Sequence, residues 1–278
     1  MNYIFTHYSG NMDLVNSGLV MFFNSILKNV NNCKIKFFTS NSYEDIPTNI
    51  KNIINDNSDV IELIKVVNVK LGIIINNQRY FHYLDYINKN NHLFSDSDKF
   101  IHCDNTDLVF IDNVFDKLEN NDKIHVFQED KKFTLGDLTV NKEWVVSLGD
   151  NTLIDRIGHN IVLCAGTIIS ESLKSFLSIC NDICFGLMRF YNHAGMQMND
   201  QGVFNSIVYD DMYRIFYKNK FQFHTNEEPD MVFTMACVDG DTYKMIDNKM
   251  FCHNKFPSII HQYNRKEDAT KWLKNIFM

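Results

Sequence analysis

The stretch that most constrains the fold is Lys99–Phe115, KFIHCDNTDLVFIDNVF, in which a polar cluster separates two apolar runs. Two carboxylates, Asp104 and Asp107, follow a strand-like lead and immediately precede the second apolar run. Charged side chains in such a setting are costly to desolvate unless water or a cation compensates them. In an open α/β sheet, ligands gather beyond the carboxyl ends of the strands, where this cluster would lie. The stretch therefore predicts either a divalent-cation site or a pair of turn-forming and helix-capping Asp residues.

Strand-like and helix-like patterns alternate along the first half of the chain. Short apolar segments at Asn2–Thr6, Lys34–Thr39 and Val60–Val67 read as strands, and apolar residues at helical spacing lie between them. Gln78–Leu93 predicts a helix that leads to the acidic stretch, and Ile161–Ser170 predicts a later buried strand. Such alternation is typical of a mostly parallel sheet with crossover helices.

The chain of 278 residues shows no internal repeat, low-complexity linker or break in composition. We therefore expect a single domain, with a nucleotide-type α/β half in residues 1–128 and a more irregular half in residues 129–278. Trp144, Val145 and Val146 are the expected anchor of the mixed interval that follows residue 128. Ser258–Tyr263 reads as the last strand.

Composition excludes several classes of protein. The net charge of −7 argues against a general polyanion binder, so no nucleic-acid partner is expected. The N-terminus lacks the features of a secretory signal, and no apolar run reaches the roughly 20 residues of a membrane span. The 7 cysteines include no C-x-x-C pair, which favours reduced thiols and a cytoplasmic location. Dinucleotide-binding, P-loop and hydrolase-elbow motifs are absent from the sequence.

Four segments that occur in order along the chain resemble the glycosyltransferases of the GT-A fold. DNTDLVFIDNVF resembles their DxD-type metal strand: Asp104 and Asp107 match its D-x-x-D form, whereas the shorter register would begin at Asn105. CAGTIIS resembles the strand that lines the donor-sugar pocket, with Cys164 in place of the usual Asn. NDQGVFN resembles the start of the family's DQ helix, and PSIIHQYNRK resembles the late strand whose His completes the metal site.

The resemblance implies a GT-A-like, Rossmann-type mixed sheet, mostly parallel and flanked by helices. It implies transfer of a sugar from a nucleotide-diphosphate donor, expected to be UDP-linked, to a hydroxyl acceptor on a glycan or protein. A metal held by Asp107, His261 and Asp104 or its neighbour would neutralise charge on the leaving diphosphate. Mixed carboxylate and imidazole ligands suit Mn²⁺ better than Mg²⁺. The other interpretation of His261 is a structural residue at a strand end.

Donor-binding residues are expected at strand ends and at the start of the helix that precedes the acidic stretch. They are Thr6, His7, Tyr8, Arg79, Asp104, Asn105, Ala165, Gly166 and Lys266. Tyr8 would stack on uracil or, alternatively, be the surface tyrosine of a turn. Arg79 resembles the arginine of the family's "RY" helix, and its other interpretation is a helix-surface or carboxylate-paired arginine. Lys266 and Arg265 would contact the diphosphate.

Asp200 and Gln201 are the catalytic candidates, because the matching positions of the family contact the donor sugar or the acceptor. Asp200 would be the general base if the reaction inverts the sugar configuration, and the sequence leaves inversion and retention open. The alternative interpretation of the pair is a helix N-cap followed by a first-turn acid.

Two other functions remain open at this stage. A nucleotide-sugar or glycan-binding module that has lost activity is supported by Asn105 and Cys164, the two departures from the family pattern. A sugar nucleotidyltransferase would share the fold and the divalent ion. That class normally has a Gly-rich, basic loop near the N-terminus, and Ser9-Gly10-Asn11 lacks these features.

Overall fold

Strands and helices alternate in the computed structural model, which describes residues 1–67, 75–150, 152–194, 199–213, 220–246 and 249–278. The strands in chain order are β1 (Asn2–His7), β2 (Cys33–Thr39), β3 (Ile61–Lys65), β4 (Lys99–Cys103), β5 (Leu108–Phe110), β6 (Lys123–Gln128), β7 (Leu163–Ser170), β8 (Lys220–His224), β9 (Val232–Thr234), β10 (Tyr243–Ile246), β11 (Lys249–Cys252) and β12 (Ile259–His261). The α-helices are α1 (Asn16–Asn29), α2 (Thr48–Asp56), α3 (Arg79–Lys89), α4 (Thr139–Val146), α5 (Leu153–Ile157), α6 (Leu173–Ala194), α7 (Asp200–Tyr209) and α8 (Glu267–Phe277).

Within the described residues, the central sheet has seven strands in the order β3-β2-β1-β4-β7-β6-β8. β1, β2, β3 and β4 are parallel, and β7 is antiparallel to both β4 and β6. β6 therefore runs in the same direction as β4, and the carboxyl ends of β1, β4 and β6 meet at one edge. This mixed, mostly parallel sheet confirms the fold class predicted from the alternating pattern.

Two hydrophobic layers cover the faces of this sheet. Successive residues of β1 divide between them: Tyr3 and Phe5 pack with α3, α6 and α7, whereas Ile4 packs with α1 and α2. Every residue of β7 is buried, as expected for a strand covered on both faces. Full burial of a large apolar side chain contributes about 1.5–3 kcal/mol. The central strands are therefore a well-buried support for the loops at their ends.

A second sheet, of strand order β5-β12-β9, continues from the loop that follows β4. β12 is antiparallel to β5 and parallel to β9, so that His261 lies opposite Leu108 and Thr234. Its faces bury different residues: Ile259 joins the layer of α1 and α2, and Ile260 packs with α8 and the β10–β11 hairpin. This register places the end of β12 beside the loop between β4 and β5.

The last strand is shorter than the sequence predicted. The ladder stops at His261 because Gln262 has a left-handed backbone (φ 57°) and a 3-10 turn, Tyr263–Arg265, follows it. The apolar pattern of Ser258–Tyr263 does not reveal this break, because pattern reports burial and not the sign of φ. The imidazole consequently stands at a strand end.

The interval from 129 to 160 contains α4 and α5. Val145 is its buried anchor, whereas Trp144 is half-buried and Val146 is exposed. Of the three residues predicted to anchor this interval, Val145 is therefore the one that is fully buried. Across the described part of the chain, every helix is too short or too polar to cross a bilayer.

Candidate metal and donor site

Side chains from two distant parts of the sequence gather at the carboxyl edge of the central sheet. Asp104 directly follows β4, Asp107 directly precedes β5, and His261 ends β12. His261 Nε2 lies 3.5 Å from Asp104 Oδ2 and 3.7 Å from Asp107 Oδ1. One potential ligand atom from each residue lies within 4.8 Å of the other two. We call Asp104, Asp107 and His261 the acid–histidine cluster.

The acid–histidine cluster fits a divalent cation. His261 is 1% exposed, and its Nε2 has no hydrogen-bond partner among the described residues. Gly166 of β7 leaves the necessary room, because a Cβ there would lie 2.4 Å from His261 Cε1 and 2.5 Å from Asp104 Oδ2. A buried nitrogen without a partner is costly, and a cation shared with the two carboxylates would remove that cost. Mixed oxygen and nitrogen ligands are compatible with Mn²⁺.

Charges in the acid–histidine cluster are strongly perturbed. Burial alone would raise the pKa of Asp104, but the Arg79 guanidinium and His261 hold it below its usual range. Burial raises the pKa of Asp107. Burial opposes protonation of His261, whereas Cys164 and the two carboxylates raise its pKa well above the usual range. Groups with shifted pKa values gathered at a strand end are typical of functional sites.

Arg79 connects the acid–histidine cluster to α7. Its guanidinium donates to Asp104 Oδ1 at 2.6 Å and also to Asp200 Oδ2. Asn199, not Asp200, is the N-cap of α7, since the Asn199 side chain accepts a hydrogen bond from the Gln201 amide. Asp200 is therefore a first-turn acid paired with a cation that neutralises two carboxylates at once.

The Gln201 side chain contacts β7, α4 and the residue that follows β6. Its Oε1 accepts from the Ala165 backbone N–H at 3.4 Å, and its Nε2 donates to Asn141 Oδ1 at 2.9 Å and to Glu129 Oε1 at 3.4 Å. Asn205, one turn further along α7, makes two hydrogen bonds to the backbone of Leu163 in β7. These contacts fix the start of α7 against the strand that carries Ala165 and Gly166.

The end of β1 supplies the residues expected to contact the nucleoside. Thr6 is fully buried and donates to the Cys103 carbonyl at 2.8 Å, so its hydroxyl has a structural partner. The buried His7 ring stacks on His82 at a centroid distance of 5.5 Å, and burial lowers the pKa of His7 to about 3. Tyr8 is half-buried and donates to the Asn11 carbonyl at 3.1 Å. Of the three, Tyr8 is the most accessible for stacking.

Asn105 and Lys266, two other expected donor-binding residues, differ in burial and in hydrogen bonding. The side chain of Asn105 is 2% exposed, and its Nδ2 has no partner in the part of the chain that the structure describes. Lys266 is half-buried, and its ammonium donates to the Val238 carbonyl in the loop that follows β9. Of Asp104 and Asn105, the two candidates for the first position of the acidic motif, Asp104 is the one whose carboxylate lies beside His261. Its position favours the D-x-x-D register.

Sequence reasoning missed two polar residues of this site, Glu129 and Asn141. Both are buried, and both contact Gln201. Glu129 directly follows β6, whose carboxyl end shares an edge with that of β4, so the strand-end rule could have identified it. No local sequence signal marks Asn141 as a site residue, and the helix that carries it, α4, was not predicted. Cys164, noted only as a departure from pattern, lies with its Sγ 3.5 Å from His261 Nδ1.

Comparison with known proteins supports the fold. No family model matches the chain, and no curated protein matches it by sequence. A solved structure of an active-site mutant of LgtC has a TM-score of 0.56 at 14% identity, covering 100% of this chain and 96% of that one. The galactosyltransferase LgtC in complex with donor and acceptor sugar analogues gives 0.53 at 13% identity, with the same coverage. The apo form of the glycosyltransferase GlyE from Streptococcus pneumoniae gives 0.57 at 11% identity, covering 100% of this chain and 60% of GlyE. The chain therefore has the fold of these glycosyltransferases.

Proposed function

We propose that this protein is a metal-dependent glycosyltransferase. It transfers a sugar from a UDP-linked donor to a hydroxyl acceptor on a glycan or protein. The observation that carries the proposal is the acid–histidine cluster at the carboxyl edge of the sheet. The fold shared with LgtC and GlyE supports the same function. A site at this edge is where an α/β fold binds nucleotides.

The ligands of the metal would be Asp104, Asp107 and His261, with Mn²⁺ preferred over Mg²⁺. The bound ion would supply positive charge to the diphosphate as the sugar departs. Asp104 suits this position, because Arg79 binds its Oδ1 and leaves Oδ2 on the side of His261. Gly166 keeps the space beside His261 and Asp104 open, because a side chain there would collide with both.

Arg79, Asp200 and Gln201 would position the donor sugar. Arg79 holds the Asp200 carboxylate as an ion pair, so that Asp200 accepts hydrogen bonds from sugar hydroxyls or, in an inverting reaction, removes the acceptor proton. Tyr8 would stack on the uracil ring at the end of β1. Lys266 would need to exchange its contact with the Val238 carbonyl for the diphosphate.

The first test is a thermal-shift screen of nucleotide sugars with and without Mn²⁺. A ligand at 100 times its Kd stabilises the folded state by about 2.7 kcal/mol, which is readily detected. Donor hydrolysis is then measured as UDP release with Mn²⁺ or with EDTA. We expect a shift with a UDP-sugar and release of UDP only when metal is present.

A matched pair of variants shows whether the acid–histidine cluster is responsible. Asp107→Asn should remove the metal-dependent release, whereas Asp112→Asn, at a half-exposed acid of the same stretch, should not. Metal-independent release would contradict the metal assignment. Binding of UDP without any turnover would instead favour a nucleotide-sugar-binding module.

A further inference from the structure

The side-chain amide of Gln201 is held at both ends. Its Oε1 faces the Ala165 backbone N–H at 3.4 Å. Its Nε2 faces Asn141 Oδ1 at 2.9 Å and Glu129 Oε1 at 3.4 Å. A glutamine amide has two N–H donors and an oxygen with two lone pairs. Both donors are therefore in use, and one lone pair of the oxygen remains for a ligand.

These neighbours also determine which end of the amide is which. A backbone N–H can only donate, so the Gln201 atom facing Ala165 must be the oxygen. The atom facing Glu129 is then the nitrogen, which donates to a carboxyl oxygen. The orientation therefore follows from the chemistry of the neighbours and does not depend on choosing between two similar atoms.

Three separate elements bring these groups together. Glu129 follows β6, Asn141 lies in the first half of α4, and Gln201 is the second residue of α7. α4 lies very close to α7 at Gly202: a Cβ on this residue would be only 2.9 Å from both Cβ and the carbonyl oxygen of Trp144. Glu129 and Asn141 are each 7% exposed, so water has little access to replace either partner.

We propose that Glu129 and Asn141 are positioning residues that keep both N–H groups of Gln201 away from the substrate, so that Gln201 meets the donor sugar only as a hydrogen-bond acceptor. The part of this inference that concerns the donor sugar rests on the proposed function. The site would accordingly prefer a sugar with a hydroxyl at the position next to Gln201. An analogue with hydrogen or fluorine there has no proton to donate and would bind less well.

The clamp on Gln201 can be tested without any substrate. Selective ¹⁵N labelling of glutamine side-chain amides gives one pair of proton signals for each glutamine, and Gln201→Glu identifies the pair from Gln201. Slow exchange of both protons with water is expected. Glu129→Ala and Asn141→Ala should each speed that exchange by about tenfold, the effect of losing one hydrogen bond. Lys142→Ala, at the exposed residue beside Asn141, is the control and should leave it unchanged. Unchanged exchange in both clamp variants would overturn the proposal.

The kinetic part uses hydrolysis of the UDP-sugar identified by the thermal-shift screen. Glu129→Ala and Asn141→Ala should lower kcat by about tenfold while UDP affinity changes by less than about twofold. Glu129→Gln keeps an acceptor oxygen and should retain most of the kcat. Equal loss of kcat, UDP affinity and melting temperature would indicate a merely structural role and contradict the proposal. If the wild-type protein hydrolyses no UDP-sugar, the proposed function fails, and the exchange measurement still decides the clamp.

Discussion

Among the residues that the structure describes, two groups combine histidine with carboxylates, and they differ in how the buried polar atoms are paired. The first is the acid–histidine cluster. The second, which we call the histidine chain, consists of Glu171, His125, His224 and Asp230. His125 Nε2 lies 3.0 Å from Glu171 Oε1, His125 Nδ1 lies 2.8 Å from His224 Nε2, and His224 Nδ1 lies 3.3 Å from Asp230 Oδ1.

In the histidine chain every imidazole nitrogen has a partner, and Glu171 also accepts hydrogen bonds from the backbone of Glu119 and Asn121. In the acid–histidine cluster, His261 Nε2 has carboxylate oxygens on two sides and no hydrogen-bond partner within the described ranges. A satisfied polar group stabilises a fold, whereas an unsatisfied group among convergent ligands is ready for a cation. The comparison therefore separates a structural network from a binding site.

The largest expected effect comes from removing Asp107. Asp107→Ala should abolish metal-dependent turnover, by at least about 100-fold, because a carboxylate ligand to the ion is lost. The fold should remain intact, since burial already disfavours the ionised form of Asp107. UDP release with Mn²⁺ and the melting temperature are the two measurements. Wild-type hydrolysis in this variant would contradict a metal-binding role and indicate that Asp107, like the histidine chain, is structural.

His261→Ala should weaken Mn²⁺ binding by about tenfold or more without eliminating it, because the carboxylates remain. Isothermal titration of Mn²⁺ into the protein in the presence of UDP measures this directly. The histidine chain provides the control: His125→Ala should bind Mn²⁺ like the wild type. If both variants lost affinity equally, the two regions would not differ in the way the hydrogen bonds indicate.

Asp200→Asn should lower turnover more than it lowers UDP affinity. Asp200 lies in the first turn of α7, and its partner Arg79 also holds Asp104. Replacing the carboxylate keeps a similar shape but removes the charge that pairs with Arg79, so we expect a fall in kcat of about 10- to 100-fold. A loss of UDP affinity as large as that of Asp107→Ala would contradict this placement.

His125→Ala should reduce the free energy of unfolding by about 1–3 kcal/mol, because it leaves Glu171 and His224 without their shared partner. Chemical denaturation measures this loss. His261→Ala is the comparison, and it should cost less stability because its Nε2 has no hydrogen bond to lose and its Nδ1 loses only the weak contact with Cys164 Sγ at 3.5 Å. A larger stability loss in His261→Ala would reverse the roles assigned to the two regions.

The smallest effect concerns pH. Burial lowers the pKa of His125 below the usual value of 6.5, and Glu171 acts in the opposite direction. Folding therefore favours the neutral ring, so this contribution to stability is present above about pH 6.5 and is lost as the pH falls. The unfolding free energy, compared at pH 7.5 and pH 5.5, should fall less in His125→Phe than in the wild type. An equal fall would assign the pH dependence to other groups.

The fold was predictable because its signals are local. The alternation of strand-like and helix-like segments predicted the mostly parallel sheet, and the predicted helix Gln78–Leu93 contains α3. Strand ends could not be located as well. β12 ends at His261 because of the left-handed residue that follows, and apolar spacing carries no information on backbone handedness.

The sequence by itself determined that Asp104 and Asp107 would lie at the carboxyl edge of a sheet, because the direction of a parallel strand fixes where its polar end emerges. Only the tertiary structure decided which distant groups meet them there. The pairing of β12 with β5 brings His261 to Asp107, and the docking of α3 aims Arg79 between Asp104 and Asp200. Such meetings depend on register and packing between elements far apart in the chain, which the hydrophobic period of either element does not encode.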